Sequence, residues 1–154
     1  KIQRDGLSEF ADYFSKSVLC VKTLNTNPHL QKKVETMISK QNPENIALVL
    51  GALASRKDLT AELSKIKCPT LVITGSEDKI IPPAACETLA KSIPQAHFEI
   101  IEGCGHLPNL ESPDKFNLIL DQFLGNLKGK FQNEEHHYIH QQISSGSAPK
   151  VSRK

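Results

Sequence analysis

Two polar side chains with complementary chemistry lie 28 residues apart in this 154-residue sequence: Asp78 in Gly-Ser-Glu-Asp-Lys, and His106 in Gly-Cys-Gly-His. A histidine whose pKa lies near neutrality can take a proton from a hydroxyl nucleophile and return it to a leaving group. A carboxylate beside the ring would hold its tautomer and stabilise the imidazolium that forms. Glu77 is the nearest competitor to Asp78, but we expect it to be solvated.

Each of the two loops follows a predicted β-strand. Residues 69–74 are apolar and β-branched, as in a strand of a parallel sheet covered on both faces, and residues 97–101 form a second candidate. A helix over residues 83–93 separates them. Ligands bind at the carboxyl ends of strands in open α/β sheets. The spacing therefore predicts that Asp78 and His106 meet on adjacent loops at that edge.

The first third of the chain has helical patterning. An apolar stripe covers residues 7–21, and Asn27-Pro28 and Asn42-Pro43 each supply a cap and a first-turn proline for a further helix. The third of these helices should bury a face formed by Ile46, Val49, Leu50 and Leu53. A last helix is predicted from Ser112-Pro113 to Gly125, which stands where a C′ glycine belongs.

Several of these motifs occur together in an order that resembles the α/β-hydrolase superfamily. Gly-x-x-Asp-x-x-x-Pro follows Pro-Thr-Leu-Val-Ile, and Gly-x-Gly-His and Ser-Pro-x-x-Phe come later. The acid precedes the histidine, as it does in that family. His-Leu-Pro-Asn-Leu-Glu and residues 42–58 look most like small esterases and 3-oxoadipate enol-lactonase-like members. The resemblance implies an α/β fold: the C-terminal part of a hydrolase, with a helical cap and the last two parallel strands and their helices.

The resemblance also implies a function. Asp78 and His106 would be the acid and histidine of a serine-type triad acting on a small ester or lactone, with no cofactor. The nucleophile elbow Gly-x-Ser-x-Gly occurs nowhere in the sequence, and neither does a His-Gly-Gly oxyanion loop. We therefore expect the isolated chain to be inactive, with the substrate bound only by the complete enzyme.

Two other functions stay open. One is a non-catalytic binding or scaffold protein that keeps a remnant of the fold, and the other is a different reaction on the same fold, such as dehalogenation, C–C hydrolysis or acyl transfer. Lys1 stands where a complete translation product would have Met, which suggests truncation or processing, although a cloning boundary would give the same start. An upstream Gly-x-Ser-x-Gly would favour the enzyme.

Composition divides the chain into a cap segment (residues 1–57), a core segment (58–125) and a polar tail (126–154) that we expect to be disordered. The net charge is only +2, and the excess of basic residues lies in the tail. Residues 1–125 therefore carry no positive surplus that would indicate nucleic-acid binding. In the tail, His136, His137 and His140 offer an i, i+4 metal spacing, but a solvated helix end or tail is the favoured interpretation, with no metal bound.

The four cysteines are Cys20, Cys68, Cys86 and Cys104. They form neither a C-x-x-C pair nor a metal-ligand spacing, which favours reduced, mostly buried thiols in a cytoplasmic protein over a disulfide framework. No apolar run is long enough to span a membrane, so no membrane partner is expected. Because two strands leave uncovered edges, we expect weak folding and self-association through the sheet edge.

Overall fold

The computed structural model describes the backbone of residues 6–144 and the side chains of residues 6–129. It has two compact units: the first ends at Asn117 and the second begins at Leu118. The elements, in chain order, are α1 (Leu7–Val18), α2 (Val21–Thr26), α3 (Pro28–Ser39), α4 (Pro43–Ala54), a 3-10 helix (Thr60–Lys65), β1 (Thr70–Gly75), α5 (Pro83–Lys91), β2 (Ala96–Ile101), α6 (Pro108–Glu111) and α7 (Pro113–Ser144).

The helix starts at residues 28 and 43 are confirmed, and each has the expected cap. The Asn27 side-chain oxygen accepts the backbone N–H of Leu30 at 3.2 Å. The Asn42 side-chain oxygen accepts the N–H groups of Glu44 at 2.7 Å and Asn45 at 3.3 Å. These bonds satisfy N–H groups that the first helical turn leaves without intrahelical partners, so the local sequence determines where α3 and α4 begin.

The stripe over residues 7–21 is interrupted in the structure by a linker formed by Leu19 and Cys20. Both residues have extended backbones and are almost completely buried. The sulfur of Cys20 accepts the N–H of Thr23 at 3.3 Å and so caps α2. The apolar pattern correctly indicated burial, but burial of an extended linker gives the same pattern as burial of a helix face.

The main hydrophobic core lies in the helical part of the first unit. Its buried members are Val18, Leu19, Leu30 and Val34. The partly buried side chains packed against them are Phe14, Leu24, Ile38, Leu107 and Leu110. The last two of these belong to the loop and short helix after β2. The core therefore holds the helices against the loop that carries His106.

The sheet consists of β1 and β2 in parallel, with Thr70 opposite Ala96 and Gly75 opposite Ile101. Helix α5 connects the strands and packs on both of them. Both predicted strands are confirmed, but they are less covered than expected, because most of their residues are half-buried or exposed. Burial is greatest at the carboxyl ends, at Thr74, Gly75 and Ile101. These are the residues from which the two functional loops begin.

Helix α4 differs from its predicted packing. None of its residues is buried, and the exposed fractions of its apolar side chains reach 71% at Leu48 and 59% at Val49. Within residues 6–129, the predicted face is therefore exposed at Val49, Leu50 and Leu53 and half-buried at Ile46. The amphipathic pattern shows that the helix has an apolar face, but it does not show whether another element packs on that face.

Helix α7 is longer than predicted, and the prediction that it ends at Gly125 is wrong because it continues to Ser144. A glycine inside a helix costs only about 1 kcal/mol relative to alanine. Good helix formers surround both Gly125 and Gly129, so the helix tolerates the two glycines; they are Leu127, Lys128, Gln132, Glu134 and Glu135. Residues 126–144 are thus helical where we expected disorder, and the division into three segments stays a prediction.

Some expectations fall outside the described part of the chain. Residues 145–154 have no described structure, and the side chains of His136, His137 and His140 lie beyond residue 129. Across the described helices, none combines the length and the apolar composition needed to cross a lipid bilayer.

Candidate functional site

The loops that follow β1 and β2 are hydrogen-bonded to each other at the carboxyl edge of the sheet. The Gly103 N–H donates to the Ser76 hydroxyl at 2.9 Å, and the Glu77 N–H donates to the Cys104 carbonyl at 2.8 Å. The Ser76 N–H also donates to the carbonyl of Ile101 at 3.1 Å. The two loops therefore continue the pairing of the strands beyond their ends.

Glycines allow this close approach. A Cβ atom at Gly75 would overlap the backbone carbonyl groups of Cys104 and Gly105. A Cβ atom at Gly105 would lie 2.8 Å from both the nitrogen of Cys20 and the carbonyl oxygen of Val18. Real Cβ atoms do not approach backbone atoms so closely, so glycine at position 75 lets the two loops touch, and glycine at position 105 lets the His106 loop lie against residues 18–20.

Asp78 and His106 meet, as their spacing predicted. The Nδ1 atom of His106 lies 2.8 Å from Oδ2 of Asp78. The other carboxylate oxygen, Oδ1, accepts the backbone N–H groups of Ile80 at 2.8 Å and Ile81 at 3.0 Å. The Asp78 side chain is 5% exposed and the His106 ring is 30% exposed. The carboxylate is thus fixed on both oxygens, while the ring keeps an accessible side.

The surroundings of Asp78 act on its pKa in opposite directions. Burial raises the pKa, because it disfavours the charged carboxylate. The hydrogen bonds from the His106 side chain and from the backbone N–H groups of Ile81 and Ile80 lower it, and together they outweigh burial. The pKa of Asp78 therefore lies below its ordinary value. The group is a carboxylate at neutral pH and can stabilise a positive charge on the ring.

The loop that carries His106 is also attached to the linker between α1 and α2. The His106 N–H donates to the carbonyl of Val18 at 2.8 Å. The Glu111 carboxylate accepts the N–H of Gly105 at 2.7 Å on one oxygen and the N–H of Cys20 at 2.9 Å on the other. Glu111 ends the motif His-Leu-Pro-Asn-Leu-Glu, but the motif predicts no role for it. A single acid in a short helix carries no local sign of its distant partners.

The comparison with protein families agrees with this geometry. The model of the alpha/beta hydrolase fold matches residues 7–113, which is more than half of the chain. The chain belongs to the α/β-hydrolase family. Within that family, the two parallel strands and the helices before them represent part of the fold.

Similar hydrolases include lipases, esterases and lactonases. Monoacylglycerol lipase abhd6-A of Xenopus laevis is 35% identical over 111 residues, which cover 69% of this chain and 33% of the lipase. A thermophilic esterase from Thermogutta terrifontis superposes with a TM-score of 0.76 at 33% identity, covering 81% of this chain and 46% of the esterase. The enol-lactonase from Burkholderia xenovorans gives a TM-score of 0.75 at 26% identity, covering 81% and 47%.

These coverages define how much of a hydrolase the chain represents. It spans about a third of the length of the curated relative and just under half of the two solved structures. The match to the family model ends at Pro113, the first residue of α7. Lipase, esterase and lactonase activities are those of the relatives.

The depressed pKa of Asp78 predicts a pH dependence of stability in this family member. Because the folded-state pKa lies below the ordinary value of 3.8, the contribution of Asp78 is present above that value and is lost as the pH falls through the folded-state pKa. We expect Asp78→Asn to reduce the loss of unfolding free energy between about pH 5 and pH 2. Urea unfolding at a series of pH values measures this.

Asp58 provides the matched control for that experiment. The side-chain and backbone hydrogen bonds from Thr60 lower the pKa of Asp58 as well, but Asp58 is fully exposed and far along the chain from the site. We expect Asp58→Asn to leave most of the acid-induced loss in place. If wild type and Asp78→Asn lost the same unfolding free energy as the pH fell, the result would contradict a lowered pKa of Asp78.

The cysteines are unpaired in the structure, but only Cys20 and Cys104 are buried, whereas Cys86 is half-buried and Cys68 is exposed. Burial raises the pKa of Cys104 to about 11, and the charge of Glu111 and the neighbouring Cys20 add to this. Cys104 is therefore a neutral thiol at physiological pH and a poor nucleophile.

Glu77 is exposed, as expected.

Within residues 6–129, no three His, Cys, Asp or Glu side chains lie close enough to hold a metal ion. The polar groups at the strand ends are instead one carboxylate and one imidazole in direct contact. This arrangement orients a proton carrier.

Proposed function

We propose that this chain supplies the acid and the histidine of a serine-type catalytic triad in a hydrolase of small esters or lactones. The observation that carries the proposal is the buried Asp78 carboxylate, which lies 2.8 Å from Nδ1 of His106 and is held by two backbone N–H groups on its other oxygen. The names of the similar esterase and enol-lactonase support the choice of substrate class.

The geometry supports a division of roles. With Nδ1–H donated to Asp78, the unprotonated Nε2 of His106 is available to take the proton of a serine hydroxyl as the serine attacks the carbonyl carbon. The imidazolium then returns that proton to the leaving-group oxygen, and Asp78 stabilises the positive charge between the two steps. The acyl-serine is hydrolysed by water through the same proton relay.

The serine of this mechanism must come from outside the 154 residues, because Gly-x-Ser-x-Gly does not occur in them. We expect a fluorophosphonate probe to leave this chain unlabelled, since no serine among the side chains described for residues 6–129 is hydrogen-bonded to His106. The thermophilic esterase, assayed in parallel, is the positive control. Labelling is measured as the mass shift of the intact protein, and stoichiometric modification of the chain would contradict the proposal.

A non-catalytic binding role is the second candidate, and the uncovered apolar face of α4 favours it. A scaffold would keep the fold and use such a face to contact a partner. The coding sequence upstream of Lys1 separates the two: a nucleophile elbow about a hundred residues earlier supports the enzyme, and a start codon at this position supports the scaffold.

We also propose that the isolated chain self-associates and that the protein is cytoplasmic. In the two-stranded sheet each strand pairs on one side only, which leaves backbone donors and acceptors for a second copy. The exposed thiol of Cys68 suits a reducing compartment. A concentration-independent monomer in sedimentation would contradict self-association, and recovery of the tagged protein in a secreted fraction would contradict the location.

A further inference from the structure

The backbone of the His106 loop is fixed to a segment far away in the sequence. His106 donates its N–H to Val18, and the sulfur of Cys20 donates to the carbonyl of Gly103 at 3.0 Å. The carboxylate of Glu111 then joins Gly105 to Cys20, which is 91 residues from Glu111 in the chain. The loop that presents the imidazole is thus held by the linker between α1 and α2 as well as by its own strand.

The close approach at Gly105 makes this bridge necessary. The backbone of Gly105 lies directly against residues 18–20, at distances that leave no room for a Cβ atom. The Gly105 and Cys20 N–H groups need an acceptor, and buried donors that lack one are costly. Glu111 supplies one oxygen to each, and hydrogen bonds to a carboxylate are stronger than those to a neutral acceptor.

We propose that Glu111 is a positioning residue for His106: its carboxylate fixes the Cys104–Gly105 peptide, one peptide before that of the histidine, and thereby sets the direction of the imidazole toward Asp78. This rests on the proposed function, since it gives Glu111 an effect on the Asp78–His106 pair. A triad must be held to about half an ångström to work. Through its two hydrogen bonds, Glu111 in α6 couples the orientation of the His106 ring to the position of the buried linker between α1 and α2.

The test uses the hydrogen-bonded Nδ1 proton of His106 in the full 154-residue chain, observed by NMR as a low-field resonance. Glu111→Gln keeps the size of the side chain but has one acceptor oxygen, so its amide group cannot serve both N–H donors. Glu111→Ala removes both acceptors. We expect exchange of the Nδ1 proton with water to become about tenfold faster in Glu111→Gln, and faster still in Glu111→Ala.

Two control variants separate positioning from general effects. Glu102→Gln removes the same charge from an exposed residue of the same loop, and Ile93→Ala opens a cavity just after α5, outside the core on which Leu107 and Leu110 pack. Both should leave the Nδ1 proton exchange within about twofold of wild type, even where Ile93→Ala lowers the unfolding free energy as much as Glu111→Gln.

The outcomes are distinct. If wild type shows an Nδ1 proton that Asp78→Asn abolishes, and Glu111→Gln leaves its exchange unchanged, the positioning role is overturned while the proposed function stands. An equal acceleration in Ile93→Ala at matched stability would also overturn it. If wild type shows no such proton, both the proposed function and the positioning role fail.

Discussion

Replacing His106 by alanine in a complete enzyme that contains this sequence is expected to lower kcat by about 10⁴- to 10⁶-fold. In the proposed mechanism the imidazole takes and returns the proton, and no other described side chain lies within hydrogen-bond distance of Asp78 to replace it. Asp78→Asn should lower kcat by about 10⁴-fold, because an amide cannot hold the same tautomer or stabilise the imidazolium. Steady-state hydrolysis of a short-chain p-nitrophenyl ester measures both changes.

The neighbouring Glu77 provides a matched control. It stands next to Asp78 in the same loop, but its side chain is exposed. Glu77→Gln should therefore keep kcat within about twofold of wild type, as expected of a surface substitution. The KM values of the Asp78 and His106 variants should change much less than their kcat values, since both residues act on the transition state in the proposed mechanism. A kcat for Asp78→Asn within tenfold of wild type would remove Asp78 from the mechanism.

The second large effect is expected at Gly75. In Gly75→Ala the new Cβ would overlap the carbonyl groups of Cys104 and Gly105, which are backbone atoms and cannot move as a flexible side chain would. Forcing the loops apart should cost about 3 kcal/mol or more of unfolding free energy, at the upper end of overpacking effects. Because the loops carry Asp78 and His106, separating them should also abolish the low-field resonance of the His106 Nδ1 proton. Urea unfolding measures the first effect and NMR the second.

Gly51→Ala is the control, and we expect it to change the unfolding free energy in the opposite direction. It lies inside α4 and has open space where a Cβ would be added. Gly51→Ala should therefore stabilise the chain by up to about 1 kcal/mol, because alanine is the better helix former. If Gly75→Ala were as stable as Gly51→Ala, the close contact of the two loops would not exist in solution.

Much of the site could be predicted because its signals are local or follow from topology. Asn27 and Asn42 each precede a proline, so the starts of α3 and α4 are visible in two adjacent residues. The parallel arrangement of two strands joined by a helix places their carboxyl ends together. The loops that follow them, and hence Asp78 and His106, must then lie side by side.

The rest depends on contacts between residues far apart in sequence. The break at Leu19 and Cys20 is buried, so the apolar pattern does not distinguish it from a continuous helix. The role of Glu111 depends on the Cys20 N–H, 91 residues away. The prediction for α7 failed for another reason: Gly125 looks like a helix stop, but its cost of about 1 kcal/mol is small beside the propensity of its neighbours.

The most direct measurement is the NMR signal of the His106 Nδ1 proton in this chain at neutral pH. We expect one low-field resonance, coupled to the ring nitrogen, that is present in wild type and in Asp58→Asn but absent in Asp78→Asn, because the proton is shared with the buried carboxylate. If the resonance is missing in wild type, or unaffected by Asp78→Asn, then Asp78 and His106 do not form the acid–histidine pair of a hydrolase.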